Sequence, residues 1–275
     1  MLKQYIATVR KVSIIILSAV LALCMSCGYD FKVPGIGDDD GIEVCRFDRL
    51  ESRYLSTGDF SALQQMETDY PIETKTLIEN VLRIGIVEDQ KINNKFLVFF
   101  QDTVLQTLIG DAEAEFANMD DINEQLTTAF TRLKERIPSV ETPKIYAQIS
   151  ALDQSIVVGE NSIGISLDKY LGVNYPLYHK YYDEEQRKQM TRENIVPDCL
   201  SFYLLALYPL NDFETRTQPD RDMHTAKVMW VCNEVMESPF FVSESIDTVA
   251  RYMEKNADMT MDELLRIDDF SVFRE

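Results

Sequence analysis

Residues 163–182 read IGISLDKYLGVNYPLYHKYY and mark the point at which the character of the chain changes. Gly164, Gly172 and Pro176 fall within this stretch together with five tyrosines, a composition typical of turns. A short extended segment precedes the stretch and a series of helical patterns follows it. We therefore predict a corner at which strands give way to helices, with Ser166 able to cap a single helical turn.

Five side chains of this corner are candidates for lining a cleft. They are Asp168, Tyr170, Tyr175, Tyr178 and His179. A row of tyrosines can bind a sugar or a peptide, because each ring offers an apolar face and a hydroxyl group. The same rings suit a packed corner in which each hydroxyl reaches a partner. The residues favour the packed corner, and the cleft is the alternative.

Upstream of the corner, the hydrophobic pattern is that of β-structure. Residues 144–152 and 155–158 alternate between apolar and polar, and residues 163–165 form a third short segment. Turn-forming residues separate the three segments. We expect a small antiparallel sheet that leads directly into the corner.

Helical periodicity dominates the rest of the chain. The strongest pattern covers residues 121–137 and ends at Pro138. Its apolar residues recur at steps of three and four and are Ile122, Leu126, Phe130, Leu133 and Ile137. Further helices are expected at residues 59–69, 72–84, 91–104, 102–116, 183–190, 196–207, 223–236, 243–255 and 261–267. The predicted fold is mainly α with a small antiparallel β-sheet, an α+β class, in a single globular domain.

The first 27 residues match a lipoprotein signal peptide. Three basic residues precede an apolar run at residues 12–23, which is too short to span a bilayer comfortably. Ser26 stands before Cys27, and a small residue in that place suits lipidation of the cysteine. We predict a lipid on Cys27; the alternative is an ordinary signal peptide with an incidental cysteine. Residues 28–44 are expected to be a flexible acidic tether and residues 45–275 the globular domain.

The charge of the chain excludes some classes of partner. The chain has 27 basic and 46 acidic residues, and removal of residues 1–27 takes away three basic and no acidic ones. The mature chain therefore has 24 basic residues and a net charge of −22. This charge argues against nucleic acid and against an anionic lipid surface as partners. A lipid anchor with several acyl chains needs no basic patch.

The residues offer no recognisable catalytic or metal-binding motif. The two histidines are His179 and His224, and neither opens a His-Glu-x-x-His pair. Asp168 and the acidic residues 183–185 would form a hydrolytic pair only if two of them were held at a fixed separation in a cleft. Cys199 and Cys232 lie in apolar helical patterns, as buried thiols do. We expect no catalytic residue, no metal and no cofactor.

Several segments follow one another in a recognisable order. They are LTTAFTRLKERIP (126–138), TPKIYAQIS (142–150), GISLDKYLG (164–172), NYPLY (174–178) and IVPD (195–198). In this order the chain resembles the gliding-motility lipoprotein GldB family of Bacteroidetes over nearly all of its mature length. The resemblance implies a lipid-anchored protein of the cell envelope, associated with the gliding machinery and the secretion system linked to it.

The family is also distantly similar to a helical zinc-peptidase group that carries a His-Glu-x-x-His helix. Here residues 195–198 stand where that helix would begin, with no histidine nearby. Thr225 and Ala226 stand where the group has a Glu-Gly step. The resemblance therefore implies a zincin-like peptidase scaffold that has lost its metal ligands.

These observations lead to one functional expectation and two alternatives. We expect a non-enzymatic lipoprotein of the outer membrane that faces the periplasm and binds other envelope proteins. One alternative is a lipoprotein that binds a glycan or a peptide in the tyrosine-rich corner. The other is a hydrolase with an unrecognised pair of carboxylates.

Overall fold

The computed structural model describes residues 41–274. Its helices are α1 (Phe47–Thr57), α2 (Phe60–Asp69), α3 (Pro71–Lys75), α4 (Ile92–Phe99), α5 (Thr103–Glu115), α6 (Asp120–Arg136), α7 (Tyr178–Tyr181), α8 (Glu184–Lys188), α9 (Ile195–Leu207), α10 (Gln218–Met236), α11 (Glu244–Lys255) and α12 (Met261–Arg266). Its strands are β1 (Lys144–Gln148), β2 (Ile156–Val158) and β3 (Ser162–Ser166). The prediction of a mainly helical fold with a small sheet is confirmed. Cys27, the predicted signal peptide and most of the predicted tether lie outside the described residues.

The three strands form a mixed sheet, which corrects the expectation of an antiparallel one. Strand β3 lies in the middle, parallel to β1 and antiparallel to β2. Strand β1 ends at Gln148 instead of continuing to Leu152, and the segment that follows it determines how the strands are ordered. Ala151 and Leu152 adopt positive φ angles of 53° and 67°. This turn carries the chain past the edge of β1, so that β2 pairs with the far side of β3.

The folded domain begins before Cys45. The amides of Ile42 and Val44 donate to Thr127 Oγ1 (2.7 Å) and Asn123 Oδ1 (3.0 Å) on α6. Cys45 forms backbone hydrogen bonds of 2.8 and 2.9 Å with residues of β1. The expected boundary between tether and domain at residue 45 is therefore a few residues late, because the two apolar residues after Gly41 are packed and their backbone is paired.

Helix α9 lies at the centre of the domain. It packs against α6, against α10 and against strands β2 and β3. The apolar residues predicted for the inner face of α6 are all buried, as are Leu200, Tyr203 and Leu204 on α9. Leu207, at the end of α9, is exposed. The prediction for α6 is confirmed, and the pattern in α9 extends beyond a single buried face.

Several helices differ from their expected bounds, among them α10, which begins at Gln218 instead of residue 223. The helix expected at residues 72–84 is α3 followed by a π-helical segment, Thr76–Val81, and the chain then reverses at Arg83, where φ is 53°. The helix expected at residues 91–104 ends at Phe99, because Asp102 caps α5 by accepting from the amide of Val104 at 2.7 Å. The carboxylate satisfies a donor that no helical carbonyl reaches, so a new helix begins there.

Candidate functional site

Asp168 is a buried carboxyl group that holds the turn after β1. It is fully buried and accepts hydrogen bonds from the amides of Ser150 (2.9 Å) and Leu152 (2.6 Å). Burial raises the pKa of the Asp168 carboxyl above its usual value, and hydrogen bonds from these amides oppose that rise. Asp168 therefore shapes the backbone at positive φ and does not face an open cleft.

Tyr170 and Tyr178 are also buried within the corner. The hydroxyl of Tyr178 donates to the carbonyl of Asp168 (2.6 Å) and accepts from the amide of Leu171 (3.0 Å). The hydroxyl of Tyr170 donates to Asp198 Oδ2 on α9 at 2.7 Å. These two tyrosines fix the corner internally and connect it to α9, which matches the packed-corner interpretation for both residues.

Tyr175 and His179 lie nearer the surface. The hydroxyl of Tyr175 donates to Asp111 Oδ2 on α5 at 2.8 Å. The imidazole of His179 is exposed and contacts the guanidinium of Arg187 on α8. The structure thus brings Asp168, Tyr170 and Tyr178 together as a buried support, with Tyr175 at its edge and His179 on the outside.

A groove lies beside α9, and we call it the Phe240 groove. It consists of two adjoining depressions of about 610 and 410 Å³ that share Phe240. The larger is formed by α9, α10, the first turns of α11 and residues 240–243 between α10 and α11. Its apolar walls are Phe202, Leu205, Val228, Met229, Phe241 and Ile246. The smaller lies between α6, the start of α9 and the end of α10.

The segment that closes the groove is fixed by Asn233 on α10. The side-chain amide of Asn233 donates to the carbonyl of Phe241 (2.7 Å), and its oxygen accepts from the amide of Phe241 (2.9 Å). Glu237 ends α10 in the left-handed conformation, with φ of 53°, and this turn directs the chain back along the helix. The aromatic pair at residues 240 and 241 is therefore held over the groove.

Asp198 is the ionisable residue of the larger depression. Within the described residues that line it, the remaining polar side chains are neutral amides and hydroxyls. Burial raises the pKa of Asp198 to about 6, and the hydrogen bond from Tyr170 opposes the rise. No lysine or arginine between residues 41 and 274 forms an ion pair with it. A carboxyl group in this setting can attract a cation or accept a hydrogen bond.

Lys227 on α10 binds the end of α12, and His224, on the same helix, is buried as well. Lys227 is fully buried and donates to the carbonyls of Leu265 and Ile267 at the end of α12, and burial lowers its pKa to about 8. Burial, followed by the charge of Lys227, lowers the pKa of His224 to about 4. His224 is therefore a neutral core residue at neutral pH. Across residues 41–274 there is no group of three His, Cys, Asp or Glu side chains arranged to hold a metal ion.

The groove was missed from the sequence, although one signal pointed to it. Helix α9 carries apolar residues on more sides than one buried face requires, including the exposed Phe202. Residues 240–242 add a short apolar run in a connection. An apolar surplus on a central helix next to an apolar connection is the pattern that would have indicated a groove.

Comparison with known proteins gives one match. A family model described as gliding motility protein GldB matches residues 37–239 of the chain. The matched span contains the sheet, the corner, α9 and all of the residues that α6 and α10 contribute to the Phe240 groove, whereas Phe240 and the lining residues after it lie beyond the match. No match is found among curated proteins or among solved structures.

Proposed function

The chain belongs to the family of the gliding motility protein GldB, and from this membership we propose that it is a non-enzymatic binding component of the bacterial cell envelope. In this proposal the protein is anchored by lipid at Cys27 to the outer membrane and faces the periplasm. It assembles with other envelope proteins of a gliding or secretion type of machinery, and it binds a partner through the Phe240 groove.

The observation that carries the binding role is the Phe240 groove itself. Its larger half is open and mostly apolar, and Phe202 and Val242 are 43% and 79% exposed at its rim. Exposed apolar surface bordered by polar residues is typical of interaction sites. The groove lies on α9, which is connected to the corner by the hydrogen bond between Tyr170 and Asp198. A rigid wall suits a surface that recognises a partner without changing shape.

The non-enzymatic role is supported by the ionisable groups at the groove. General acid–base hydrolysis by carboxylates requires a second group at a set distance. Among the described residues that line the larger depression, Asp198 has no second ionisable group beside it. Asp198 and Thr225 both line this depression, and these are the regions in which the peptidase-like resemblance places metal ligands. Retention of the cleft without the ligands favours binding over hydrolysis.

A glycan site in the tyrosine-rich corner has less support. Tyr170 and Tyr178 have no free ring face to offer because both are buried. Of the corner tyrosines named as candidates, Tyr175 retains partial access, and its hydroxyl is already bonded to Asp111. The Phe240 groove is therefore the better candidate for a ligand or partner.

Replacement of Cys27 with alanine is expected to release the protein from the membrane. No helix within residues 41–274 is both long and apolar enough to cross a bilayer. Attachment by two or more acyl chains is effectively stable, whereas none remains without the acceptor cysteine. The measurement is the share of protein in the membrane pellet of fractionated cells, together with incorporation of labelled palmitate.

The matched control for this prediction is Cys24→Ala, which changes the other cysteine of the same segment and should leave the protein anchored and labelled. Retention of Cys27→Ala in the membrane fraction, or release of Cys24→Ala instead, would show that the lipid is not on Cys27.

A further inference from the structure

We propose that the Phe240 groove binds an extended peptide segment of a partner protein, with apolar side chains along its walls and a lysine or arginine side chain on Asp198. The inference rests on the proposed function and deepens it, because it names the chemistry of the segment that is bound. Three features of the groove support it: its walls, its charge and its length.

The walls favour aliphatic or aromatic side chains. Phe202 and Leu205 on α9 face Val228 and Met229 on α10 across the larger depression. Burial of apolar surface contributes roughly 25 cal/mol per Å². The methionine side chain also adapts to differently shaped apolar partners. The walls therefore supply affinity for an apolar ligand, without selecting one shape.

The charge favours a cationic group in the middle of that ligand. Asp198 lies in the apolar part of the groove, and its described partner is the neutral hydroxyl of Tyr170. A ligand cation would compensate the charge of a carboxylate that the fold leaves without an ion pair. In the smaller depression Glu124 and Glu193 add two acidic groups, while Arg132 is paired with Glu237 at 2.9 Å. The groove as a whole therefore presents negative charge.

The length favours a peptide over a compact small molecule. The two depressions share Phe240, and together they border α11, α10, α9 and α6. Asn194, Ser201, Thr225 and Ser243 border the larger depression at intervals. Each of these side chains already makes one hydrogen bond inside the protein, and the donor or acceptor capacity that remains can bond the amides and carbonyls of an extended backbone.

The test uses labelled hexapeptides and the full chain purified in a mild nonionic detergent. The peptides are made in pairs that consist of leucine, valine and phenylalanine apart from one central position. One peptide of the pair has lysine at that position, and the other has norleucine. Fluorescence anisotropy measures the dissociation constants. We expect the lysine peptide to bind at least about tenfold more tightly than the norleucine peptide, because a charge-assisted contact is gained.

The variant Asp198→Asn should remove this preference and leave the norleucine peptide bound as before. Asparagine keeps the shape of the side chain and still offers an oxygen to Tyr170, so the fold should be retained, and thermal unfolding checks this. The matched control is Asp247→Asn on the exposed surface of α11, which should preserve the preference for lysine. The comparison of the two peptides on the unaltered protein stands even if a variant does not fold.

Equal binding of the lysine and norleucine peptides to the unaltered protein would overturn the proposal, and so would a lysine preference that survives Asp198→Asn. Absence of measurable binding by either peptide would overturn it as well. In each of these cases the proposed function would still hold if an envelope protein is captured at the groove in cells. That capture does not require the bound segment to be basic.

Discussion

Replacement of Asp168 with alanine is expected to lower the free energy of unfolding by about 3–5 kcal/mol. The change removes the acceptor of the amides of Ser150 and Leu152, which lie at 2.9 and 2.6 Å from the carboxylate. Each amide left without a partner inside the protein costs about 1–3 kcal/mol. Leu152 also has a φ of 67°, a conformation that persists only when its surroundings impose it. Urea unfolding followed by circular dichroism measures the effect.

Two comparisons make the result specific to the buried turn. Asp168→Asn keeps one oxygen acceptor in place and should cost clearly less than alanine. Asp258→Ala, at an exposed aspartate, should change the stability by no more than about 0.5 kcal/mol. A cost for Asp168→Ala that is as small as the cost at Asp258 would contradict the structural role assigned to this carboxyl group.

Replacement of Gly164 with alanine is expected to lower the stability by about 2–3 kcal/mol. Gly164 lies in the central strand β3 directly opposite Tyr146 of β1. An added Cβ would lie 2.6 Å from both Cζ and Oη of the Tyr146 ring. The ring cannot move away easily, because it is buried and packs edge-on against Phe47 at 6.1 Å between centroids. The steric cost exceeds the gain of about 0.5–1 kcal/mol that alanine brings over glycine in the unfolded chain.

Gly159→Ala is the matched control within the same hairpin. There the added Cβ would meet Ser162 Oγ at 2.6 Å, a hydroxyl that can rotate away, so the cost should stay below about 1 kcal/mol. Leucine is smaller than tyrosine, so Tyr146→Leu should recover part of the stability that Gly164→Ala loses. In a double-mutant cycle, the double variant should lose less stability than the sum of the two single variants. Additive effects of the two changes would show that the ring is not the obstacle.

Local pattern was sufficient for the helices and insufficient for the sheet. Helix α6 was predictable because its apolar residues keep one period over 17 residues and are all buried. The pairing of β1 with β3 was not predictable, since the alternation of residues within one strand does not show which other strand it pairs with. That choice depends on the Asp168 carboxylate, which reaches back 18 and 16 residues to Ser150 and Leu152. Contacts of this range leave no local periodic signal.

The position of the tyrosine-rich corner was predictable from the sequence, whereas the structural role of its side chains was less so. The corner at residues 163–182 is where strands change to helices, as its glycines and tyrosines indicate. Tyr170 and Tyr178 are structural, however, because both rings are buried and both hydroxyls are hydrogen-bonded inside the protein. The Phe240 groove was not predictable as a whole, because α9, α10 and residues 240–243 meet only in the folded protein. Tyr170 connects the two regions through its bond to Asp198.

The central claim, that the Phe240 groove binds another envelope protein, is tested most directly by photo-cross-linking in living cells. A photoreactive amino acid replaces Val242 at the rim of the groove, and in a second strain it replaces Phe60 on α2, which is similarly exposed at 72%. We expect one discrete adduct with an envelope protein at position 242, none at position 60, and loss of the adduct when Asp198→Lys is added. Equal adducts at both positions, or no adduct at position 242, would contradict the claim.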